Sequence, residues 1–539
     1  MTDETTDDIR RSWFLIAPER GNPHTEIDSH KDGVRAWTTG NRAVPLVHGA
    51  TYFGRLYEEL CRLEPGDWVH FTDWRGDPDE RLAGPNTEVA VVLADLAERG
   101  IHVRGLMWRS HPQATKFSEE ANFQLAKKIN EKGGEVLLDE RVRRGGSHHQ
   151  KQFVIRHPKD RSKDIAFVGG IDLCHSRHDD AKHLGDPQVY DLDEHYGRTP
   201  PWHDVQLEVR GPAVTDLAIS FRERWGDPTP LDHRNPYRKL MARRGHEPDE
   251  PSDLPPLPDH PPTEGPHAIQ VLRTYPSKRP AFPFARDGER SIARGYEKAY
   301  SRARSLIYVE DQYFWSIEIA KLLAERLSAQ KDLHVIIVLP RHFEAGGRIA
   351  SAAPRYGQSR AIKIIKDAGG DRVGVYDIEN ERQTPIYVHA KVCVIDDVWA
   401  EVGSDNVNIR SWTHDSELSC SILDDTLDKR QPRDPAGLGD GARVFARDLR
   451  LELWREHLGV DSDEGLLDPI EAFRRWRTVA EELDAWHAGG GKGPRPRGRV
   501  RAHDAGTQPR WLDALAPFVL RTFVDPDGRP RRLRKSGRF

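Results

Sequence analysis

Two segments of the chain, "GGSHHQKQFVIRHPKD" (145–160) and "IYVHAKVCVIDDVWAEVGSDNVNIRS" (386–411), follow one pattern. In each, a histidine and a lysine two places on, His149/Lys151 and His389/Lys391, lead into a short apolar run, "QFVI" or "VCVI". A turn and a second apolar run follow, "IAFV" or "WAEV". A Gly-led turn closes each unit, Gly169-Gly170-Ile171-Asp172 and Gly403-Ser404-Asp405-Asn406. The first copy is longer, and its extra residues lie in the polar loop "RHPKDRSKD". A unit repeated once per half reads as a diverged duplication. It predicts two similar lobes about a pseudo-twofold, each presenting one His-x-Lys at the start of a hairpin.

The rest of the patterning fits. "VAVVLADLAERGIHVRGLMW" reads as helix then strand, and "IAKLLAERLSAQKDLHVIIVLP" repeats that order, with strands apolar throughout as in buried sheets. The class is α/β, with a mixed sheet flanked by helices in each lobe. The stretch 245–267 is rich in Pro and acid, lacks apolar periodicity, and reads as a linker between an N-terminal lobe, 1–244, and a C-terminal lobe, 268–486. Residues 487–539 read as a Gly/Pro/Arg-rich linker and basic tail, with 489–506 poorly ordered and the cations of Lys492–Arg501 and Arg529–Arg538 free to meet an anionic lipid surface.

The 539 residues carry 81 Lys and Arg against 86 Asp and Glu, a net charge of −5, which argues against a dedicated nucleic-acid binder. Cys61, Cys174, Cys393 and Cys420 show neither CxxC nor zinc spacing and read as reduced thiols. The acidic start lacks the features of a secretory signal, and no run is long enough to span a membrane, so the expectation is a cytoplasmic monomer with at most peripheral membrane contact.

Two imidazoles in one small site divide acid–base work, one attacking while neutral and the other donating a proton while charged. Two lysines supply fixed positive charge where a phosphoryl group is negative. A histidine in such a role needs a partner on its other ring nitrogen. Asp204, opening "DVQLEV", and Glu417, opening "ELSCSI", are the symmetrical candidates, one for each ring. No metal and no other cofactor is expected. His148, next to His149, faces the other way along a strand and reads as structural.

These residues resemble the paired HxKxxxxD motifs of the phospholipase D superfamily. The second copy is complete (His389, Lys391, Asp396) and runs on into Ser404, Asn406 and "NIRS". The first has Arg156 where the family has Asp, with Asp160 or Asp164 as nearby substitutes. "IYVEDQYF" (307–314), "GGIDLCHSRHD", "PWHDVQLEVRGPAV" and "LELWREHLG" resemble blocks of the plant and animal enzymes. The resemblance implies the phospholipase D fold and cleavage of the distal phosphodiester of a glycerophospholipid to phosphatidate and an alcohol, or transfer to another alcohol. It implies that His149 forms a phosphohistidine while His389 protonates the leaving group. Lys151, Lys391, Ser404 and Asn406 would bind the non-bridging oxygens, with Asp172, in Asn406's place, left out as a poor donor. Asp396, Glu310, Gln312, Tyr313, Trp202 and His203 would support the site. A nuclease of the same superfamily, a cardiolipin-synthase-like transferase and a scaffold with a degenerate site are the alternatives.

Overall fold

Each half of the chain lays down the same series of elements, described by a computed structural model over residues 3–27, 34–110, 119–232, 250–344, 351–506 and 510–539. The first half runs β1 (Thr38–Val47), helix Gly49–Cys61, β2 (Trp68–Asp73), helix Val89–Glu98, β3 (His102–Trp108), helix Glu119–Asn130 and β4 (Glu135–Asp139). The hairpin β5 (Gln152–Arg156) and β6 (Ile165–Gly169) follows, then β7 (Trp202–His203), β8 (Val205–Arg210) and helix Ala213–Trp225.

The second half repeats the series with β9 (His267–Tyr275), β10 (Glu289–Arg290), helix Ser291–Arg302, β11 (Leu306–Glu310), helix Ile317–Ala329, β12 (His334–Val338), helix Ala352–Gly369 and β13 (Val373–Ile378). It ends with β14 (Tyr387–Val388), the hairpin β15 (Val392–Ile395) and β16 (Trp399–Gly403), β17 (Glu417–Asp424) and helix Val444–Leu458.

The strand order is β4-β3-β2-β5-β6-β8-β1 in one half and β9-β17-β16-β15-β11-β12-β13 in the other. The outer three strands are parallel and the hairpin strands antiparallel in both. The sequence predicts a separate sheet for each lobe; the structure has one. The first strands of the two halves, β1 and β9, pair antiparallel and fuse the halves into a 16-stranded sheet. Unpaired, each would expose a row of backbone donors and acceptors.

Helix faces follow from spacing. In Gly49–Cys61 the buried residues Tyr52, Phe53, Leu56 and Leu60 fall on one stripe. Helix Ile317–Ala329 buries Ile319, Ala320, Leu323 and Leu327 and starts where the Ser316 hydroxyl accepts from the Ile319 amide. Such helices cover the outer sheet faces. The inner faces of both halves meet in one core with helices Ala213–Trp225 and Val444–Leu458.

Residues 250–266 form neither helix nor strand; 245–249 lie outside the described residues. The stretch is nevertheless docked, with Leu254 against Leu106, Leu137 and Trp225, and Ser252 O accepting from Trp225 Nε1 at 2.8 Å.

The tail corrects the sequence reading more sharply. Val500–Ala502 is a strand, β18, antiparallel to β13. Its surrounding arginines are neutralised by partners distant in sequence: Arg495–Glu379 at 3.2 Å, Arg499–Glu456 at 3.1 Å and Arg501–Asp484 at 2.6 Å. Arg529 is buried and pairs with Glu318 at 2.7 Å, and the ring of Phe539, also buried, lies 5.6 Å from that of Trp412. The segment belongs to the fold. Arg531, Arg532, Arg534, Lys535 and Arg538 remain exposed. Among the described residues no helix is long and apolar enough to cross a membrane.

Candidate active site

The pseudo-twofold brings each histidine to the other half's carboxylate. β14, just before His389, runs parallel to β7, just before Asp204, with Val388 opposite His203. The related contact is a parallel bridge between His148 and Ser416, just before Glu417. His203 O accepts from the amides of His389 and Ala390 at 2.8 and 3.2 Å, which sets Asp204 Oδ2 2.7 Å from His389 Nδ1. Ser416 O accepts from the His149 amide at 2.9 Å, and Glu417 Oε2 lies 2.9 Å from His149 Nδ1. An ionised carboxylate only accepts, so each Nδ1 carries the proton and Nε2 keeps its lone pair for chemistry. Gly170 makes room for this: a Cβ there would lie 2.3 Å from Asp204 Oδ1.

Buried cations surround the pair. Lys151 Nζ donates to His149 O at 3.1 Å and pairs with Asp172 at 3.2 Å. Lys391 Nζ donates to His389 O, and Gln312 Oε1 is 3.5 Å away. Burial pulls the Lys391 ammonium down to about 8, with Lys151 pushing the same way and Asp204 opposing. Burial, then Lys391 and Arg177, hold His389 well below the usual imidazole range. Burial also pushes the Asp204 carboxyl up, against Lys391.

The sequence reading missed Arg177, in "GGIDLCHSRHD". It is 3 % exposed, stacks 3.9 Å over the Trp202 ring and reaches Asp172 at 3.4 Å. A lone arginine in a loop carries no periodic signal. Asp172 therefore acts as counter-ion to Lys151 and Arg177, which hold its carboxyl low against burial.

The remaining residues named from sequence sort by their contacts. Ser404 departs from its expected place on the substrate: fully buried, it donates to Glu417 Oε2 at 2.6 Å and accepts from the Leu418 amide at 3.0 Å, so it positions the carboxylate. Asn406 is buried with an unpartnered side-chain oxygen. Glu310 receives His203 Nε2 and His457 Nε2, each at 2.7 Å, and the Tyr308 hydroxyl. Gln312 donates to the Tyr387 hydroxyl at 2.7 Å, and Tyr313 stacks on Trp315 at 3.9 Å. Trp202 Nε1 donates to Asp204 at 3.4 Å.

Asp396 touches no site residue. It accepts from the amides of Arg304, Ser305 and Leu306 at 2.7, 2.8 and 2.8 Å, tying the β15–β16 turn to the start of β11. Arg156, in its place, pairs with Asp164 at 2.7 Å and donates to Asp259 O at 2.9 Å, and Asp164 also accepts from the His157 amide. Asp160 caps an exposed turn. His148 is buried with neither ring nitrogen partnered, and burial holds it neutral.

Among the described residues, two groups of side chains offer a donor set to a metal ion: His48, His183, His203 and Glu456, and His203, Glu310 and His457. The sequence reading expects no metal, since residues 48, 183, 203 and 456 lie too far apart in the chain to mark a shared site.

Residues 80–240 match the family model "Phospholipase D", and residues 297–431 match "Cardiolipin synthase, PLD-like domain". The chain belongs to the phospholipase D superfamily. It is 26 % identical over 491 residues to phospholipase D gamma 2 of Arabidopsis thaliana, covering 71 % of this chain and 56 % of that one. It is 24 % identical over 577 residues to phospholipase D alpha 2 of Oryza sativa subsp. japonica, covering 81 % and 68 %. The chain thus spans little more than half the length of the first. Among solved structures, phosphatidylserine synthase of Haemophilus influenzae Rd KW20 matches at a TM-score of 0.49 and 13 % identity, over 71 % of this chain and 82 % of that one. The phospholipase D relatives support an enzyme.

Proposed function

We propose that the protein is a phospholipase D-type phosphodiesterase that cleaves the distal phosphodiester of a glycerophospholipid, releasing phosphatidate and the headgroup alcohol. The observation that carries this reading is the crossed pair of His–carboxylate contacts among three buried cations, Lys151, Lys391 and Arg177.

His149 Nε2 attacks phosphorus, the bond from phosphorus to the headgroup oxygen breaks, and the proton on His389 Nε2 goes to that oxygen. His389, now neutral, takes a proton from water, whose oxygen attacks phosphorus and breaks the P–N bond, so phosphatidate leaves and both rings return to their starting state. A primary alcohol in place of water gives transphosphatidylation. Lys151, Lys391 and Asn406 face the non-bridging oxygens, while Asp204 and Glu417 fix the Nδ1 protons. Burial and the neighbouring cations favour neutral His389 in the free site, which suits the second step; the anionic diester supplies the charge that favours its protonation for the first.

Access to lipid goes through the C-terminal segment. Leu515, Phe518, Val519 and Phe523 are exposed on helix Arg510–Val519 and the turn Leu520–Val524 after it. Phe523 O accepts from Arg410, which also donates to Gly145 O beside the first motif. Apolar side chains with the exposed arginines of the tail fit an anionic bilayer, so the association proposed is peripheral.

The test is incubation with phosphatidylcholine and ethanol. Phosphatidylethanol formed by the wild type and lost in His389→Ala supports the reading. Plasmid cutting without lipid product replaces it with a nuclease, and no turnover of any diester replaces it with a scaffold.

A further inference from the structure

At His203, the residue before Asp204, three imidazoles converge on one carboxylate. Glu456 Oε2 lies 2.7 Å from His48 Nε2, and Oε1 lies 2.9 Å from His183 Nε2 and 4.0 Å from His203 Nδ1. All four donor atoms lie within 4.8 Å of one another, and His48, His183 and His203 are buried.

The outer nitrogens decide what the inner ones can be. His183 Nδ1 lies 3.0 Å from Trp202 O, a carbonyl that can only accept, so it carries a proton. His203 Nε2 lies 2.7 Å from the Glu310 carboxylate, so it carries one too. With those nitrogens as donors, His183 Nε2 and His203 Nδ1 are the remaining ring positions, both turned toward Glu456 at 2.9 and 4.0 Å. Facing a carboxylate, each of these nitrogens is satisfied by a second proton or by a metal cation between them. His203 Nδ1 has no hydrogen-bond partner. Arg499 reaches Oε1 from the rim at 3.1 Å and does not fill this gap. Imidazoles whose second nitrogen is pinned by a carboxylate or a backbone carbonyl are the usual outer arrangement of metal-bound histidine.

We propose that His48 Nε2, His183 Nε2, His203 Nδ1 and Glu456 bind one divalent transition-metal ion. The donor set, three imidazoles and one carboxylate in a closed buried site, suits zinc. Tetrahedral zinc with ordinary bond lengths puts its donor atoms about 3.3 Å apart, so the donor pairs, now within 4.8 Å, need to adjust by up to about 1.5 Å. The ion takes no part in the phosphoryl chemistry. It ties the end of β1, the loop at 183, β7 and helix Val444–Leu458 together, and so fixes the backbone carbonyl of His203, which holds His389.

The test uses the full tag-free chain, because affinity tags bind metal. Elemental analysis after gel filtration should find about one zinc per chain. Chelator-treated protein, shown by circular dichroism to remain folded, should take up cobalt(II) to one equivalent with the visible absorption of a four-coordinate ion. His48→Asn and Glu456→Gln should each weaken cobalt binding by at least about 100-fold. Folded wild-type protein with no zinc and no cobalt absorption would overturn the proposal, as would cobalt binding unchanged in both variants. If either variant fails to fold, the wild-type stoichiometry and spectrum still decide.

Discussion

Replacing Asp204 by Asn tests the site at its least forgiving point. The carboxylate serves two masters: Oδ2 accepts from His389 Nδ1 at 2.7 Å and Trp202 Nε1 at 3.4 Å, while Oδ1 accepts from the Val205 amide at 2.9 Å. An amide cannot keep both sides. With its oxygen toward Val205, its NH2 confronts His389 Nδ1 and forces the proton onto Nε2, the atom needed bare for base catalysis. With its oxygen toward His389, its NH2 opposes the Val205 N–H. A buried unsatisfied group costs about 1–3 kcal/mol and a lost charge-assisted bond about 1.5–3 kcal/mol, so the variant should lose roughly 3–6 kcal/mol of transition-state stabilisation. At about 1.4 kcal/mol per decade this is a fall in kcat of about 10²- to 10⁴-fold. Stability should change little, because the cost of one unsatisfied buried group is offset by escape from the desolvation that pushes the Asp204 carboxyl up. The assay is kcat on a soluble short-chain diester beside the Tm of both proteins. A loss under about tenfold, or a collapse of Tm in parallel with activity, would refute the reasoning.

Other outcomes follow from the same contacts. Lys391, drawn down to about 8 by burial, is a cation below that pH and loses its proton as the pH rises through it, so kcat/KM should fall on the alkaline side. Lys391→Arg should move that limb upward, and a wild-type profile flat well past that pH would contradict the assignment. Ser404→Ala should lower kcat about tenfold with KM unchanged, because the hydroxyl holds Glu417; a rise in KM alone would return it to the phosphate. Phe518→Asp with Phe523→Asp should weaken partition to anionic vesicles at least about 100-fold, at about 1.5–3 kcal/mol per buried ring, and leave turnover of a soluble diester unchanged. Unaltered vesicle binding would remove that face from the lipid contact.

The hairpins were legible because their chemistry and their turns lie close together in sequence. The α/β class followed from apolar runs long enough to mark buried strands. Continuity of the sheet was not legible, since β1 meets β9 across more than two hundred residues and nothing local marks either as a joining strand. Asp204 and Glu417 stood out at strand starts, but their crossing depends on the pseudo-twofold. The basic tail misled for an electrostatic reason. Arginines near 500 read as a solvated run when their acids, Glu379, Glu456 and Asp484, lie elsewhere in the sequence. Phe539, the last residue, gave no hint that it packs beside Trp412.

Because His149 takes its carboxylate from the second half and His389 from the first, neither half carries a complete base of its own. The two halves are related as the partners of a symmetric dimer whose interface has become internal to one chain. Selection therefore acts on the join and not on the halves separately. The copies differ where the other half does not depend on them: Arg156 stands at the position equivalent to Asp396, and each is paired within its own half. Severed near the linker, the halves would be bound by mass action, with activity rising as the product of their concentrations, and truncation of either would silence both histidines at once.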